Sequence, residues 1–239
     1  MKILTWNCNG ALRNKVDLIS SFDCDLYVVQ ECEDPSQVVK PTLQYKEFTQ
    51  NHIWIGGNKN KGLGVFAKIS STITKSELNL DFGVHQLKWF LPFSFENRLD
   101  FVAAWAHRGD TGDFRYIGQF YRLLLNNPGE IDNRIFLGDL NSNKIWDYKR
   151  SEGDHTTCVR MLAEKGIESV YHLRTGEEQG KEKKPTFLLQ RNKSKPYHID
   201  YIFSPSKYIE KTRAFEVLDF DQWIEYSDHV PIIWEMETA

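Results

Sequence analysis

Six short stretches of this chain put an acidic, amide or imidazole side chain where an apolar run ends, and those side chains are suited to phosphate chemistry. Asn7 closes Thr5-Trp6-Asn7, and strand alternation places it on one face with Ile3 and Thr5. Its amide could hold a metal-bound carboxylate or a phosphate oxygen; the bland alternative is a strand-end Asn before the Gly10 turn. Glu31 follows Leu26-Tyr27-Val28-Val29-Gln30, a setting that suits a ligand to a hard cation such as Mg²⁺ or a solvated strand cap. His107 ends Phe101-Val102-Ala103-Ala104-Trp105-Ala106. Neutral, it could donate to a phosphoryl oxygen; protonated, it could stabilise the charge that grows there. A histidine at the edge of the core is the competing reading.

The other three stretches carry pairs. In Ile135-Phe136-Leu137-Gly138-Asp139-Leu140-Asn141, an extended chain would point Asp139 and Asn141 the same way, and Gly138 would allow a close approach. A carboxylate that orients water beside an amide that grips phosphate makes chemical sense; so does a strand followed by a simple Asx-turn. His198-Ile199-Asp200-Tyr201 places Asp200 within an apolar strand, where an unpaired charge is costly and a histidine partner is predicted. His198 shares its strand face but need not be that partner. In Ser227-Asp228-His229, Asp228 and His229 can serve one site only from a bent loop, because strand neighbours point apart.

The elements that must position these groups are mostly short strands, read near 2–8, 25–31, 53–57, 63–69, 85–93, 100–107, 133–139, 185–190, 198–203, 213–219 and 230–236. The clearest helix is 114–125, with Phe114, Ile117, Phe120, Tyr121 and Leu124 on one face behind an Asp113 cap. Further helices are predicted at 14–22, behind Asn14, and at 154–165, before Gly166. Such a pattern suggests packed sheets flanked by helices. With neither a low-complexity linker nor a repeat, residues 1–239 are read as one domain.

Bulk properties exclude little but narrow the class. The 239 residues carry a net charge of −3, which argues against coating nucleic acid by global attraction yet leaves room for local basic patches. No run approaches the roughly 20 apolar residues of a membrane span, and the N-terminal apolar run is short for a secretory signal. Cys8, Cys24, Cys32 and Cys158 form neither a CxxC pair nor zinc spacing, so reduced, mostly buried thiols in a cytoplasmic protein are expected. A monomer is the simplest assembly.

In order along the chain, these segments resemble the endonuclease/exonuclease/phosphatase superfamily. The matching motifs run from Thr5-Trp6-Asn7, through Gln30-Glu31, Ala106-His107 and Gly138-Asp139-Leu140-Asn141, to Ile199-Asp200-Tyr201 and Ser227-Asp228-His229. The resemblance implies an α/β fold, a four-layer α/β/β/α sandwich of two packed mixed sheets flanked by helices, with the site at one mouth. It implies that Glu31 binds Mg²⁺ directly, with Mn²⁺ a possible substitute, and that Asn7 and Asp228 lie close to the ion. By the same resemblance Asp139 positions or deprotonates water, Asn141 holds phosphate, and His229, paired to Asp200, acts on phosphate or water. His107 would be a second histidine contacting phosphate.

Departures from the pattern limit the subfamily. His107 stands where exonuclease III-like abasic enzymes carry a Tyr-containing motif, the secreted deoxyribonuclease leader and disulfide are missing, and so is the Trp-Cys-Asp-Arg signature of inositol polyphosphate phosphatases.

For substrate, the expectation is nucleic acid. Lys181, Lys183, Lys184, Arg191, Lys193 and Lys195 precede the Asp200 strand in a polar insertion spanning 174–196, with Lys144, Lys149 and Arg150 following Asn141. Folded over the site, Lys144, Lys184 and Arg191 would contact substrate phosphates; otherwise this is a solvated loop. Phe220, Trp223 and Tyr226 precede Ser227 and could stack on bases, although packing roles suit them better; Trp146 is a similar candidate. A phosphatase acting on a small or lipid phosphate ester is the alternative, and a non-catalytic binding protein on the same scaffold is the third.

Overall fold

The computed structural model describes residues 1–83, 85–108, 115–147 and 153–238. The strands are β1 (Lys2–Asn7), β2 (Leu26–Cys32), β3 (His52–Asn58), β4 (Lys61–Ala67), β5 (Ile73–Lys75), β6 (Asp81–Phe82), β7 (His85–Gln86) and β8 (Phe90–Phe95). They continue with β9 (Leu99–Trp105), β10 (Ile135–Asp139), β11 (Ile167–Ser169), β12 (Phe187–Leu188), β13 (Pro196–Tyr197), β14 (Asp200–Pro205), β15 (Thr212–Val217) and β16 (Ile232–Met236). One six-stranded sheet runs β15-β16-β1-β2-β4-β3 and the other β11-β14-β10-β9-β8-β5. Both are mixed, as expected for the sandwich.

The two sheets are built alike. In the first, β1 is parallel to β2 and antiparallel to β16; in the second, β10 is parallel to β9 and antiparallel to β14. The C-terminal ends of the parallel strands and the N-terminal ends of their antiparallel neighbours therefore share one edge of each sheet. Asn7, Glu31 and Asp139 sit at such strand ends, and Asp200 at such a strand start. Active sites of open α/β sheets favour this edge because the chain leaves a rigid strand there.

Between the sheets, Ile3, Val28, Phe93, Phe101, Ala103, Ile135 and Leu137 belong to one buried cluster that also reaches Val16, Ile19 and Tyr45 of the helices α1 (Val16–Ser20) and α2 (Leu43–Phe48). A second cluster joins Phe136, Tyr201 and Phe203 to Phe120 and Leu124 of α3 (Ile117–Asn126) and to Cys158 and Leu162 of α4 (His155–Ala163). Helices thus cover both outer faces. Phe220 and Trp223, on α7 (Phe220–Trp223), are buried, and the Trp223 ring meets Trp6 edge-on at 5.1 Å. They pack the core instead of stacking on substrate.

Several local expectations need revision. The 14–22 helix is a 3₁₀ turn, Leu12–Asn14, followed by α1, and Asn14 does not cap it. The buried Glu33 carboxylate accepts the Leu12 and Arg13 amides instead, at 2.8 and 2.7 Å. A residue distant in sequence has taken the capping role. Asp113 and Phe114 lie outside the described residues, and α3 begins at Ile117 without a side-chain cap. Asp154 caps α4 by accepting the Thr157 amide at 2.8 Å. The 185–190 strand shrinks to Phe187–Leu188, since Gln190 and Arg191 take left-handed backbone, φ 58 and 55. α2, α5 (Val170–Thr175), α6 (Ser206–Ile209) and α7 are too short to show a helical period in sequence. All four cysteines are free and buried. No helix among the described residues is long and apolar enough to cross a membrane.

Candidate active site

The site is anchored by an amide that bridges the two sheets. Asn7 Nδ2 donates to Asp139 Oδ2 at 3.0 Å and to Glu31 Oε1 at 3.3 Å, while Asn7 Oδ1 accepts the Asn9 amide at 3.1 Å. Glu31 reaches this position through a bulge, being the extra residue where β2 pairs with β4 between Gln30 and Cys32. Its φ of 61 is left-handed, a conformation that a glutamate adopts only at some cost. The bulge re-aims its carboxylate out of the strand.

Asp139 is fully buried and densely bonded. Its Oδ1 accepts the Asn141 amide at 2.7 Å, and its Oδ2 accepts Asn141 Nδ2 at 3.0 Å as well as Asn7. Asp139 thus forms an Asx-turn, and the Asn141 side chain joins the same set of hydrogen bonds. The chain is not extended there, because Asn141 has φ 47. Gly138 is obligatory on two grounds: its φ is 134, and a Cβ would fall 2.0 Å from the Ala104 carbonyl oxygen. In that space the buried Gln30 side chain crosses from the other sheet.

Asp200 lies directly opposite Asp139 in the β10–β14 register. Burial and the neighbouring Asp200 charge push the Asp139 carboxyl up to about 7, against the pull of His229 and the amides of Asn7 and Asn141. The partner of Asp200 is His229, whose Nδ1 lies 2.9 Å from Oδ2. Nε2 of the same ring lies 4.0 Å from Asp139. Burial pulls the His229 imidazolium down, but Asp200 and Asp139 outweigh it and hold it up at about 9. Asp200 Oδ1 is buried with no hydrogen-bond partner.

His198, the other histidine considered for Asp200, turns away, with Nδ1 2.7 Å from the Lys184 carbonyl oxygen. Burial pushes it down to about 4, so it is neutral at pH 7. His107 is half-buried on the loop after β9, its ring 4.8 Å from that of Trp105, and burial lowers it too. Of the two protonation states considered for His107, pH 7 favours the neutral one. The preceding amide, Ala106 N–H, donates to the Asp139 carbonyl at 2.8 Å and holds this loop at the site. Asp228 is partly exposed beside His229, and its carbonyl accepts the Leu188 amide at 2.8 Å.

Three supporting residues escaped the sequence. Lys61 forms an ion pair with Glu31 from β4, thirty residues away in sequence, and nothing local marks it. Thr186 accepts the Ile199 and Asp200 amides on its hydroxyl, at 3.0 and 3.1 Å, while its carbonyl accepts the Val230 amide at 2.9 Å. It therefore fixes both backbones of the Asp200–His229 pair. Glu182 reaches in from the polar insertion to His172 Nε2 and Asn143 Nδ2, each at 3.1 Å. Asn143 Nδ2 in turn donates to the His198 carbonyl at 2.9 Å.

The insertion is less cationic than its composition suggests. Lys181 pairs with Glu178, Lys183 with Glu177, Lys184 with Asp219 and Lys193 with Asp221. Arg191 Nη1 donates to the Glu225 carbonyl at 3.3 Å. Lys144 opens a 3₁₀ turn, Lys144–Trp146, shortly after Asn141; Lys149 and Arg150 lie outside the described residues.

Asp139, Asp200 and His229 offer ligand atoms within 4.8 Å of one another, a possible metal cluster. A further carboxylate, Glu31, is linked to this group through Asn7 and is paired with Lys61. Asp139, Asp200 and Glu31 all supply carboxylates, the donor class that a hard divalent cation takes. This donor set fits a hard divalent cation.

Two packed mixed sheets with carboxylates, amides and paired histidine at one edge define a phosphate-ester hydrolase. The chain belongs to the Endonuclease/Exonuclease/phosphatase family, which it matches over residues 4–229. Its fold is similar to that of the 3′-5′ exonuclease NExo from Neisseria meningitidis, with a TM-score of 0.74, 16% identity and 100% of both chains covered. An AP endonuclease from Archaeoglobus fulgidus gives 0.70 and 15%, again over 100% of both chains. The catalytic domain of Xenopus laevis APE2 gives 0.65 and 16%, over 99% of this chain and 91% of that one. No curated protein sequence matches the chain.

Proposed function

We propose that this protein is a Mg²⁺-dependent phosphodiesterase that hydrolyses nucleic acid. The observation that carries this reading is the Asn7 amide, which ties Glu31 of one sheet to Asp139 of the other beside the Asp200–His229 pair. Glu31 would hold the ion, with Asn7 orienting its carboxylate and Asp228 close by. Mg²⁺, or Mn²⁺ in its place, supplies Lewis-acid stabilisation of phosphoryl charge when bound.

Asp139 orients the attacking water and takes its proton, a task suited to a carboxyl held near neutrality. His229 presents its charged Nε2–H to a non-bridging phosphoryl oxygen, while Asp200 keeps the ring oriented and protonated. Asn141 and neutral His107 add uncharged donors to the same oxygens. Lys144, Lys184 and Arg191 track flanking phosphates, with Lys184 first leaving an exposed pair of the kind worth little in water. Four buried free thiols suit a cytoplasmic protein, and we read it as a monomer.

One observation favours a second reading, a phosphatase acting on a small phosphate ester. Four of the six cations between Lys181 and Lys195 already have carboxylate partners, which weakens the field that a polyanion would feel. Incubation of the purified chain with plasmid, oligonucleotides and a chromogenic phosphodiester, with Mg²⁺ or chelator, decides between them. Chelator-sensitive cleavage of nucleic acid is expected. Turnover of the chromogenic ester alone would favour the second reading, and no turnover of any phosphate ester would remove both.

A further inference from the structure

A row of aromatic rings leads from the catalytic histidine to the surface. The His229 ring lies 4.6 Å from Phe187, Phe187 lies 6.4 Å from Tyr197, and Tyr197 lies 5.1 Å from Trp146. The hairpin β12–β13 sets the middle of the row by pairing Phe187 with Tyr197, and a bridge joins Phe187 to His229. Phe187 and Tyr197 are only partly buried, Trp146 is 47% exposed, and its neighbour Ile145 is 51% exposed. Apolar surface of this kind, contiguous with a polar catalytic centre, calls for an occupant.

The row is held in place. Asn143 caps the turn that carries Trp146 by accepting the Ile145 amide at 3.0 Å, and is itself anchored to Glu182 and the His198 carbonyl. Lys144 lies two residues before Trp146 and Lys195 two residues before Tyr197, and neither makes an ion pair among the described residues. Partly exposed rings with lysines close by in sequence fit a ligand that alternates flat apolar groups with anions. Unpaired nucleotides have that make-up; a duplex turns its base faces inward and cannot offer them.

We infer that Trp146, Tyr197 and Phe187 form a stacking track for unpaired bases next to the scissile phosphate, so that the substrate is single-stranded or frayed there. This rests on the nucleic-acid reading above and adds strand state to it. Stacking accepts any base, so the track would be tolerant of sequence.

The test is fluorescence anisotropy of the purified 239-residue chain, with chelator to prevent cleavage, against a labelled oligo-dT and a blunt duplex of equal charge across a salt series. Trp146→Ala is expected to weaken oligo-dT binding about tenfold, with the salt slope unchanged and duplex binding within about twofold. Trp146→Phe should restore most of the loss, and Tyr197→Leu should repeat it from a second position. Oligo-dT affinity indifferent to both Trp146→Ala and Tyr197→Leu, or an equal loss on duplex, overturns the inference. If parent protein cuts duplex DNA with Mg²⁺ while either of those results holds, only the track is lost. Parent protein that turns over no phosphodiester overturns the nucleic-acid reading itself.

Discussion

Asn7 and Asp139 are joined by a 3.0 Å hydrogen bond that crosses from one sheet to the other. Because Asn7 also donates to Glu31, its loss would free two carboxylates at once. Asn7→Ala is expected to lower kcat/KM at least 100-fold, and Asp139→Asn and His229→Ala to abolish turnover, all with native circular dichroism. Near-normal rates for Asp139→Asn and His229→Ala would remove the proposed mechanism. Steady-state kinetics on an oligonucleotide and on a chromogenic diester make the measurement.

Lys61 occupies the Glu31 carboxylate that the divalent cation would need. Two cations on one carboxylate compete, and the half-exposed lysine can swing away into solvent. Lys61→Met is therefore expected to tighten Mn²⁺ binding several-fold in calorimetry, while Glu31→Gln weakens it. Unchanged affinity in Lys61→Met would show that the pair does not oppose the metal.

Much of this site was legible because its residues stand at strand ends, where an apolar run stops at a polar side chain. Glu31 and Asp139 were visible in that way, Asp200 stood out as a charge within an apolar strand, and alternation put Asn7 on one face with Ile3 and Thr5. What stayed hidden depends on contacts distant in sequence. Lys61 meets Glu31 only because a bulge turns that residue, and Glu33 replaces Asn14 as a cap only in the folded chain. The lysines of the insertion look cationic in sequence, but Asp219 and Asp221 lie outside that window and neutralise two of them.

Gly138 faces the most severe steric limit in the site. An alanine methyl would meet the Ala104 carbonyl oxygen at 2.0 Å and Gln30 Nε2 at 2.9 Å, on a backbone with φ 134. The first of these is main chain of a paired strand and cannot rotate aside. Gly138→Ala is expected to cost on the order of 3 kcal/mol or more in urea denaturation, through strain and displacement of β10. A cost under about 1 kcal/mol would mean that the strands slide apart easily.

Asp200 holds the His229 ring charged, and its removal has a signed consequence. The folded ring is raised to about 9 from an ordinary 6.5. Its stabilising contribution is therefore complete below 6.5 and lost as pH rises through about 9. In Asp200→Asn, burial acts with less opposition and the imidazolium deprotonates earlier. The alkaline limb of the kcat/KM profile should move to lower pH, with the largest deficit near pH 8 and a smaller one near pH 6. A parallel drop at every pH would indicate that Asp200 only shapes the site.

Glu182 ties the polar insertion to the loop that carries Asn141 and Asn143, and its charge makes that tie pH-dependent. Burial opposes ionisation, but His172, the Gly180 amide and Asn143 outweigh it and hold the carboxyl down at about 2, against an ordinary 4.5. Its contribution is present above 4.5 and disappears as pH falls through about 2. Glu182→Gln should therefore cost about 2 kcal/mol at pH 7, and its stability should converge on that of the parent between pH 4.5 and 2. Both proteins would be unfolded with denaturant at pH 7 and at pH 3. Burial of neutral His198, lowered to about 4, weakens both alike as pH falls from 6.5, so only the difference between the two curves reports Glu182. A gap of constant size down to pH 2 would assign the cost of the substitution to packing and not to the carboxylate charge.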